Sequence, residues 1–285
     1  MKVLVTGSSG ILGSDICKQL ELKGCNYIGF NSQNIKLDDF EDVKAKVIGF
    51  NPDILIHCAA LTNVDLCEDE RGLAYTVNVN GTQNVAMAAN LVNAKMIYIS
   101  SCGVYGNGKA TPYIETDPTE PLNYHHFTKL EGEAKVLECC TKGIIIRPGW
   151  LFGGNLSHRK NFVEARRREA LNVNELNSAN DKIGSPTFTS DLAKQILHLA
   201  RQDAYGVFNA VNEGCASRFD YVTEIIRNLN IKVKVNPVSS NNFQRKANMP
   251  DNECLENFNL SRSGLNIMRD WKDALKDYID SQYRI

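Results

Sequence analysis

Short apolar runs alternate along this chain with longer stretches in which apolar residues return every three or four positions. KVLVT (2–6), NYIGF (26–30), DILIHCAA (53–60), KMIYISS (95–101) and GIIIRP (143–148) are the short runs. Their length and β-branched content predict buried strands. Between the first two, ILGSDICKQLELKG sets Ile11, Leu12, Ile16, Leu20 and Leu22 mostly on one helical face, with Gly24 as its stop. DFEDVKAKVIGF predicts a short helix, residues 67–93 a long one, and residues 124–140 another that follows a loop carrying Pro112, Pro118 and Pro121. Regular β-α alternation with strands apolar throughout predicts an α/β doubly wound parallel sheet. Beyond residue 150 the alternation loosens. RKNFVEARRREALN, DLAKQILHLARQ, FDYVTEIIRNLN and WKDALKDYIDSQ predict helices, VFNAV is strand-like, and NVNELNSAND (172–181) reads as a polar loop.

Composition narrows the picture without redrawing it. The 285 residues carry a formal net charge of -1, with 43% hydrophobic and 23% charged residues, ordinary globular usage. Nothing here is basic enough to predict a nucleic-acid partner. MKVLVTGSSG has too short an apolar stretch for a signal peptide, and no run approaches 18 apolar residues, so no membrane partner and a cytoplasmic location are expected. Nine cysteines without a C-x-x-C pair are expected to be reduced thiols, and the five histidines show no metal-ligand spacing, so no metal is expected.

The first chemistry-bearing motif is T6-G7-S8-S9-G10-I11-L12-G13, a G-x-x-G-x-x-G loop between a strand and a helix. Gly7 permits the tight turn, Gly10 lets backbone N–H groups reach a diphosphate, and Gly13 allows close helix-sheet packing. Ser9, Ile11 and Leu12 fall inside the same cradle. The acid expected after the second strand, on the ribose 2′-hydroxyl, is replaced by Asn31 in F-N-S-Q. That favours NADPH, with NADH as the alternative, and Asp39 is a candidate for the adenosine end. A Rossmann-like NAD(P)-binding domain over 1–150 is thus expected. A small, mostly helical C-terminal substrate lobe over 151–285 follows, some of its segments returning to the sheet.

Three further stretches fall in order: HCAALTNVD (57–65), ISSCGVYG (99–106) and PLNYHHFTKLEGE (121–133). RPGWLFG (147–153), KNFVEA (160–165), GSPTFTSDLA (184–193) and WKDALKDYI near the end continue the series. Together they resemble the dTDP-4-dehydrorhamnose reductase branch of the extended short-chain dehydrogenase/reductase family, over nearly the whole chain. That branch carries A-A-x-T-x-V-D, S-T-D-Y-V-F and P-L-N-x-Y-G-x-T-K-L-x-G-E at these places. The resemblance implies hydride transfer from NADPH to C4 of a nucleotide-linked 4-keto-6-deoxy sugar, for cell-surface polysaccharide precursors. It implies that Ser101 hydrogen-bonds the keto oxygen and that Lys129 holds the nicotinamide ribose and lowers the pKa of a neighbouring acid. It further implies that Ala59, Ala60 and Leu61 pass the cofactor, while Thr62, Asn63, Val64 and Trp150 face the sugar.

The departures matter as much. Where the branch has its catalytic tyrosine, four residues before the lysine, this chain has His125. Four helical steps nearly close a circle, so His125 shares a face with Lys129, whereas Tyr124, five steps away, points about 140° round. His125 is the candidate proton donor and Tyr124 its rival. Imidazolium can donate near neutral pH, but a lysine beside it depletes the charged form. Cys102 and Gly103 stand where the branch has Asp and Tyr, and where related dehydratases place two carboxylates, which argues against elimination chemistry. Three readings therefore stay open: a reductase with an unusual acid, a catalytically impaired nucleotide- or sugar-nucleotide-binding regulatory subunit, and an epimerase or reductase of another nucleotide sugar. A homodimer is left open. The basic run Arg166, Arg167 and Arg168, after Arg159 and Lys160, reads either as a diphosphate clamp or as a solvated helix face.

Overall fold

Strands whose interiors are apolar need cover on both faces, and the chain supplies it from both sides. In the computed structural model, which describes residues 1–283, β1 (Lys2–Thr6), α1 (Ile11–Leu22), β2 (Asn26–Phe30), α2 (Phe40–Phe50) and β3 (Ile54–His57) follow the predicted alternation. Then come α3 (Val64–Asp69), α4 (Arg71–Tyr75), a π-helical turn at Thr76–Asn80 and α5 (Gly81–Leu91). The chain continues with β4 (Lys95–Ile99), a 3-10 turn at Cys102–Tyr105, α6 (Tyr124–Cys139) and β5 (Gly143–Arg147). The expected single helix over 67–93 is therefore broken. Glu70, at φ -114 and ψ 57, leaves the helical region between α3 and α4, and the π turn widens the next bend.

The second half contributes β6 (Trp150–Phe152), α7 (Phe162–Ala170), β7 (Glu175–Ala179), β8 (Ile183–Gly184), β9 (Pro186–Phe188), α8 (Thr189–Leu199) and β10 (Gly206–Asn209). It ends with β11 (Ala216–Ser217), α9 (Arg218–Asn228), β12 (Lys234–Val238), β13 (Asn252–Glu253), α10 (Phe258–Arg262) and α11 (Trp271–Tyr283). Strand-like VFNAV is β10, which returns to the main sheet beside β5, as α8 returns to pack on α1. The polar stretch 172–181 is not a loop. It holds β7, paired in parallel with β12 from a distant part of the chain, and only Leu176, Ser178 and Ala179 are buried in it. Three short sheets, β11-β8-β13, β12-β7 and β6-β9, thus run between the helices of the C-terminal region.

The main sheet has the order β10-β5-β4-β3-β1-β2, all parallel. Alternate side chains serve opposite faces. Val3 and Val5 of β1 join Ile16 and Leu20 of α1 and Leu192 and Ile196 of α8, while Leu4 joins Val43, Val47, Val85 and Val136 on the other face. The order reverses between β1 and β3, so their connections leave in opposite directions. A crevice opens beyond the carboxyl ends at that point. Among the described residues no helix is long and apolar enough to cross a membrane.

Two long-range links hold the sheet's far side and the C-terminal region. Glu133 of α6 accepts from Arg147 at the end of β5 through Nε (2.9 Å) and Nη2 (2.6 Å), both side chains buried, and also from the hydroxyl of Ser100. Cys215 and Cys254 form a disulfide, with Cα atoms 5.8 Å apart. This corrects the expectation of nine reduced thiols. The pair is 39 residues apart in sequence, and β8, flanked by β11 and β13, brings the two together.

Breaking a buried pair by removing one partner leaves an uncompensated charge. Glu133→Ala is expected to cost about 3–5 kcal/mol in denaturant unfolding, while Glu133→Met with Arg147→Leu recovers most of it. A loss below about 1 kcal/mol in the single variant would show that the pair does not hold α6 to the sheet.

Candidate active site

The crevice at the strand-order reversal is a cleft of about 770 Å³. Its amino-terminal wall is the glycine loop. Gly7 has φ +69, and a Cβ there would fall 2.6 Å from the backbone N of Ala59. A Cβ on Gly13 would fall 2.1 Å from the carbonyl O of Gly7. Both glycines are therefore required by backbone approach. Gly10 caps α1 without any side-chain hydrogen bond, so the first-turn N–H groups face the cleft with no capping side chain. Such an arrangement suits a diphosphate in charge and in shape. Gly7, Ser9, Gly10, Ile11, Leu12, Gly13, Asn31, Ala59 and Ala60 all line the cleft, as the sequence reading required.

Asp39 does not line it. Its carboxylate accepts the N–H groups of Glu41 and Asp42, capping α2, and the neighbouring Asp38 lines the cleft instead. Lys36 stands at the same end. Sequence reading missed it because only an arginine directly after β2 was sought. Leu61 is also off the lining. Its N–H donates to Asn78 Oδ1 (2.7 Å), and its carbonyl accepts from Asn78 Nδ2 (3.1 Å). Asn78 sits in the π turn and also donates to Thr128 Oγ1 of α6 (2.9 Å). It fixes the β3 loop against α6, and no local pattern announces it. A π turn at such a junction is a frequent mark of a functional site.

On the opposite wall Ser101, His125 and Lys129 come together with Thr62. Ser101 caps the 3-10 turn, its Oγ accepting from the N–H of Gly103 (3.3 Å), and it lines the cleft. Lys129 is buried, with Nζ 4.1 Å from the centroid of Tyr98. Burial pulls its pKa down to about 7, against the opposing pull of Cys58 and Glu133. His125 is buried and both ring nitrogens lack a partner. Burial, then the cationic neighbours His126, Lys129 and Lys160, hold its pKa well below the usual histidine value. That shift disfavours the imidazolium form considered from sequence. Burial pushes the Cys58 thiol up to about 12.

Tyr124 lies away from this wall, as helical arithmetic required. Its ring lies 5.0 Å under the Arg71 guanidinium and 5.5 Å from Phe127, and it does not line the cleft. Asn63 caps α3, accepting from the N–H of Leu66, and Val64 opens that helix; neither lines the cleft. Trp150 is not free to stack on a sugar. Arg218 stands 3.4 Å over its ring, Gly184 is so close that a Cβ would fall 2.3 Å from Cε2, and Nε1 donates to Glu253 (2.8 Å). Of the basic run, Arg166, Arg167 and Arg168 pair with Glu169 and Glu164 on α7 itself. His158, Arg159 and Lys160 do line the cleft, and Lys160 donates to Thr62 Oγ1.

Two departures compensate each other. A Cβ on Gly103 would fall 2.0 Å from Cε1 of His126. The histidine ring occupies the space beside residue 103, where the related branch has tyrosine facing glycine. Cys102 in turn donates to Glu253 (3.4 Å), the carboxylate that holds Trp150.

Sheet order and cleft together place the molecule among the extended short-chain dehydrogenases/reductases. Comparison goes further: the family model described as the RmlD substrate binding domain matches residues 1–284, and the chain belongs to that family. It is 33% identical over 281 residues to a dTDP-4-dehydrorhamnose reductase of Mycolicibacterium smegmatis, covering 98% of this chain and 85% of that protein. It is 32% identical over 282 residues to the spore coat polysaccharide biosynthesis protein SpsK of Bacillus subtilis, covering 99% and 98%. Among solved structures, a dTDP-4-dehydrorhamnose reductase of Clostridium acetobutylicum superposes with TM-score 0.94 at 36% identity, covering 99% of each chain. That of Bacillus anthracis in complex with NADP does so with TM-score 0.94 at 33% identity, again covering 99% of each.

Gly103→Ala is expected to lower stability by about 1–3 kcal/mol through overpacking against His126. Combined with His126→Ala, the loss should shrink, giving a coupling of about 0.5–3 kcal/mol in a double-mutant cycle of thermal unfolding. Strict additivity would separate the two positions.

Proposed function

We propose that this protein is an NADPH-dependent reductase of a nucleotide-linked 4-keto-6-deoxy sugar, of the dTDP-4-dehydrorhamnose type, supplying a polysaccharide precursor. The single observation carrying the reading is one cleft that joins a dinucleotide cradle to Ser101 and Lys129. The relatives' names and the NADP complex of the Bacillus anthracis protein support the chemistry and the cofactor.

The first turn of α1 and the glycine loop would hold the cofactor's diphosphate, Asn31 and Lys36 its adenosine end, and Ala59 and Ala60 its passage toward Lys129. The cradle fits such a group because its glycines leave no room for a side chain. Bound there, the dihydronicotinamide supplies hydride. No carboxylate stands at position 31 to repel a 2′-phosphate, and Lys36 sets a cation against the carboxylate of Asp38 at that end; together with the relatives' cofactor this favours NADPH over NADH. His158, Arg159 and Lys160, at the mouth, suit the diphosphate of a sugar nucleotide. Ser101 orients the keto oxygen by donating its hydroxyl proton. Its backbone position, just beyond β4, is held by the N–H groups on either side, Ser100 donating to the Ile146 carbonyl and Cys102 to that of Pro148.

A second reading, a sugar-nucleotide-binding regulatory subunit, draws on one observation: His125, neutral and unpartnered, stands in place of the family's tyrosine. NADPH oxidation in the presence of dTDP-4-dehydrorhamnose separates the two, since the binding subunit takes up cofactor without consuming it. In the reductase, Ser101→Ala should slow turnover about 100-fold, the usual cost of one preorganised donor, with NADPH affinity kept. His125→Tyr should raise turnover by restoring a phenol on the lysine's face. Gly13→Val, by filling the cradle, should abolish NADPH binding in a fluorescence titration.

A further inference from the structure

Reduction of a carbonyl needs a proton as well as a hydride, and the wall beside Ser101 has lost the phenol that would give it. Tyr124 points at Arg71, outside the cleft. His125 faces inward but holds no ionisable proton at neutral pH. The Cys58 thiol is pushed up to about 12 by burial. Ser100 donates its hydroxyl to Glu133.

Lys129 is left, and its surroundings are unusual for a lysine. Among the described residues no carboxylate lies within salt-bridge reach of Nζ, because Glu133, one turn further along α6, is engaged by both Arg147 and Ser100. From β4, Tyr98 offers only its ring face, 4.1 Å away, while its hydroxyl donates to the Lys129 carbonyl. From β3 and the loop after it come His57, bonded to Thr6 and Thr82, and the neutral Cys58. From α6 itself comes His125, and Lys160 acts on that ring from the loop before α7. A cation–π face stabilises an ammonium far less than a carboxylate does.

We propose that Lys129 is itself the proton donor of the reduction, delivering an ammonium proton to the oxygen that Ser101 orients, with His125 a neutral neighbour that gives none. This rests on the reductase reading. Hydride addition to the carbonyl carbon leaves two electrons on its oxygen as an alkoxide. The new O–H bond forms as one N–H bond of Lys129 breaks, and the neutral amine regains its proton from water through the open cleft. An amine poised near 7 is matched to this exchange, whereas an ordinary lysine holds its proton too tightly.

The first test needs no turnover. In the full chain without cofactor, 15N-lysine NMR should show Lys129 titrating near pH 7; a midpoint above about 9.5, close to the ordinary lysine value, overturns the proposal. In turnover, kcat/KM should fall about tenfold per pH unit above that midpoint. His125→Phe should keep this alkaline limb, whatever its plateau. Lys129→Arg keeps the positive charge but cannot release a proton at these pH values. It should retain NADPH affinity within about threefold while reduction falls about 100-fold or more. Methylammonium should restore part of the rate to Lys129→Ala. If the unmodified chain binds NADPH but never consumes it, the reductase reading falls and takes the proposal with it. If the unmodified chain turns over and Lys129→Arg keeps more than a tenth of its rate, or His125→Phe loses the alkaline limb, the proposal alone falls.

Discussion

One buried carboxylate organises the active wall. Glu133 accepts two hydrogen bonds from Arg147 and one from Ser100, so a single side chain ties α6 to the carboxyl ends of β5 and β4. Residues four apart on a helix share a face. Anchoring position 133 therefore sets where positions 129 and 125 fall, one and two turns earlier. The same bonds decide the electrostatics. A free carboxylate one turn from Lys129 would hold its ammonium, but this one already carries a guanidinium at 2.6 Å. Desolvation then wins over attraction, and the lysine comes down to about 7.

The cleft follows from strand order, and its chemistry follows from where the strands stop. β3 ends at His57 and β4 at Ile99, short of the apolar runs that predicted them. The residues released from the ladder, Cys58 to Ala60 and Ser100 to Ser101, are those that line the cleft. Gly7, Gly13 and Ala59 are then packed backbone to backbone, at distances that exclude any side chain. The glycine loop and the wall that carries Ser101 and Lys129 are in this way two products of one sheet edge.

Local patterns made much of this legible. The glycine loop, the five strands of the first half and the shared face of positions 125 and 129 need only spacing, and spacing also turns Tyr124 away from that face, toward Arg71. What stayed hidden depends on partners far along the chain. Trp150 reads equally as a sugar platform or a packed ring until Arg218, Gly184 and Glu253 close on it. Asn78 has no motif, yet it bonds residues 61 and 128 at once. The stretch 172–181 carries too few apolar residues to read as a strand, and β12 makes it one. Asp39 caps α2 while its neighbour Asp38 lines the cleft, a difference of one residue that no local pattern shows.

The departures at 102, 103 and 126 form a set rather than scattered decay. The room that Gly103 leaves is filled by His126, and the Cys102 thiol is bonded to Glu253. Unselected losses in a packed wall leave cavities or clashes, each costing of the order of kcal/mol; here the pieces fit. The departure at His125 differs from these, with two buried ring nitrogens that have no partner among the described residues. Leaving such groups unmet costs about 1–3 kcal/mol, which a water or any bound polar group removes. The ring lines the cleft with Ser101 and Lys129. A neutral imidazole donates from one nitrogen and accepts at the other, which suits a sugar hydroxyl better than it suits the transfer of a proton.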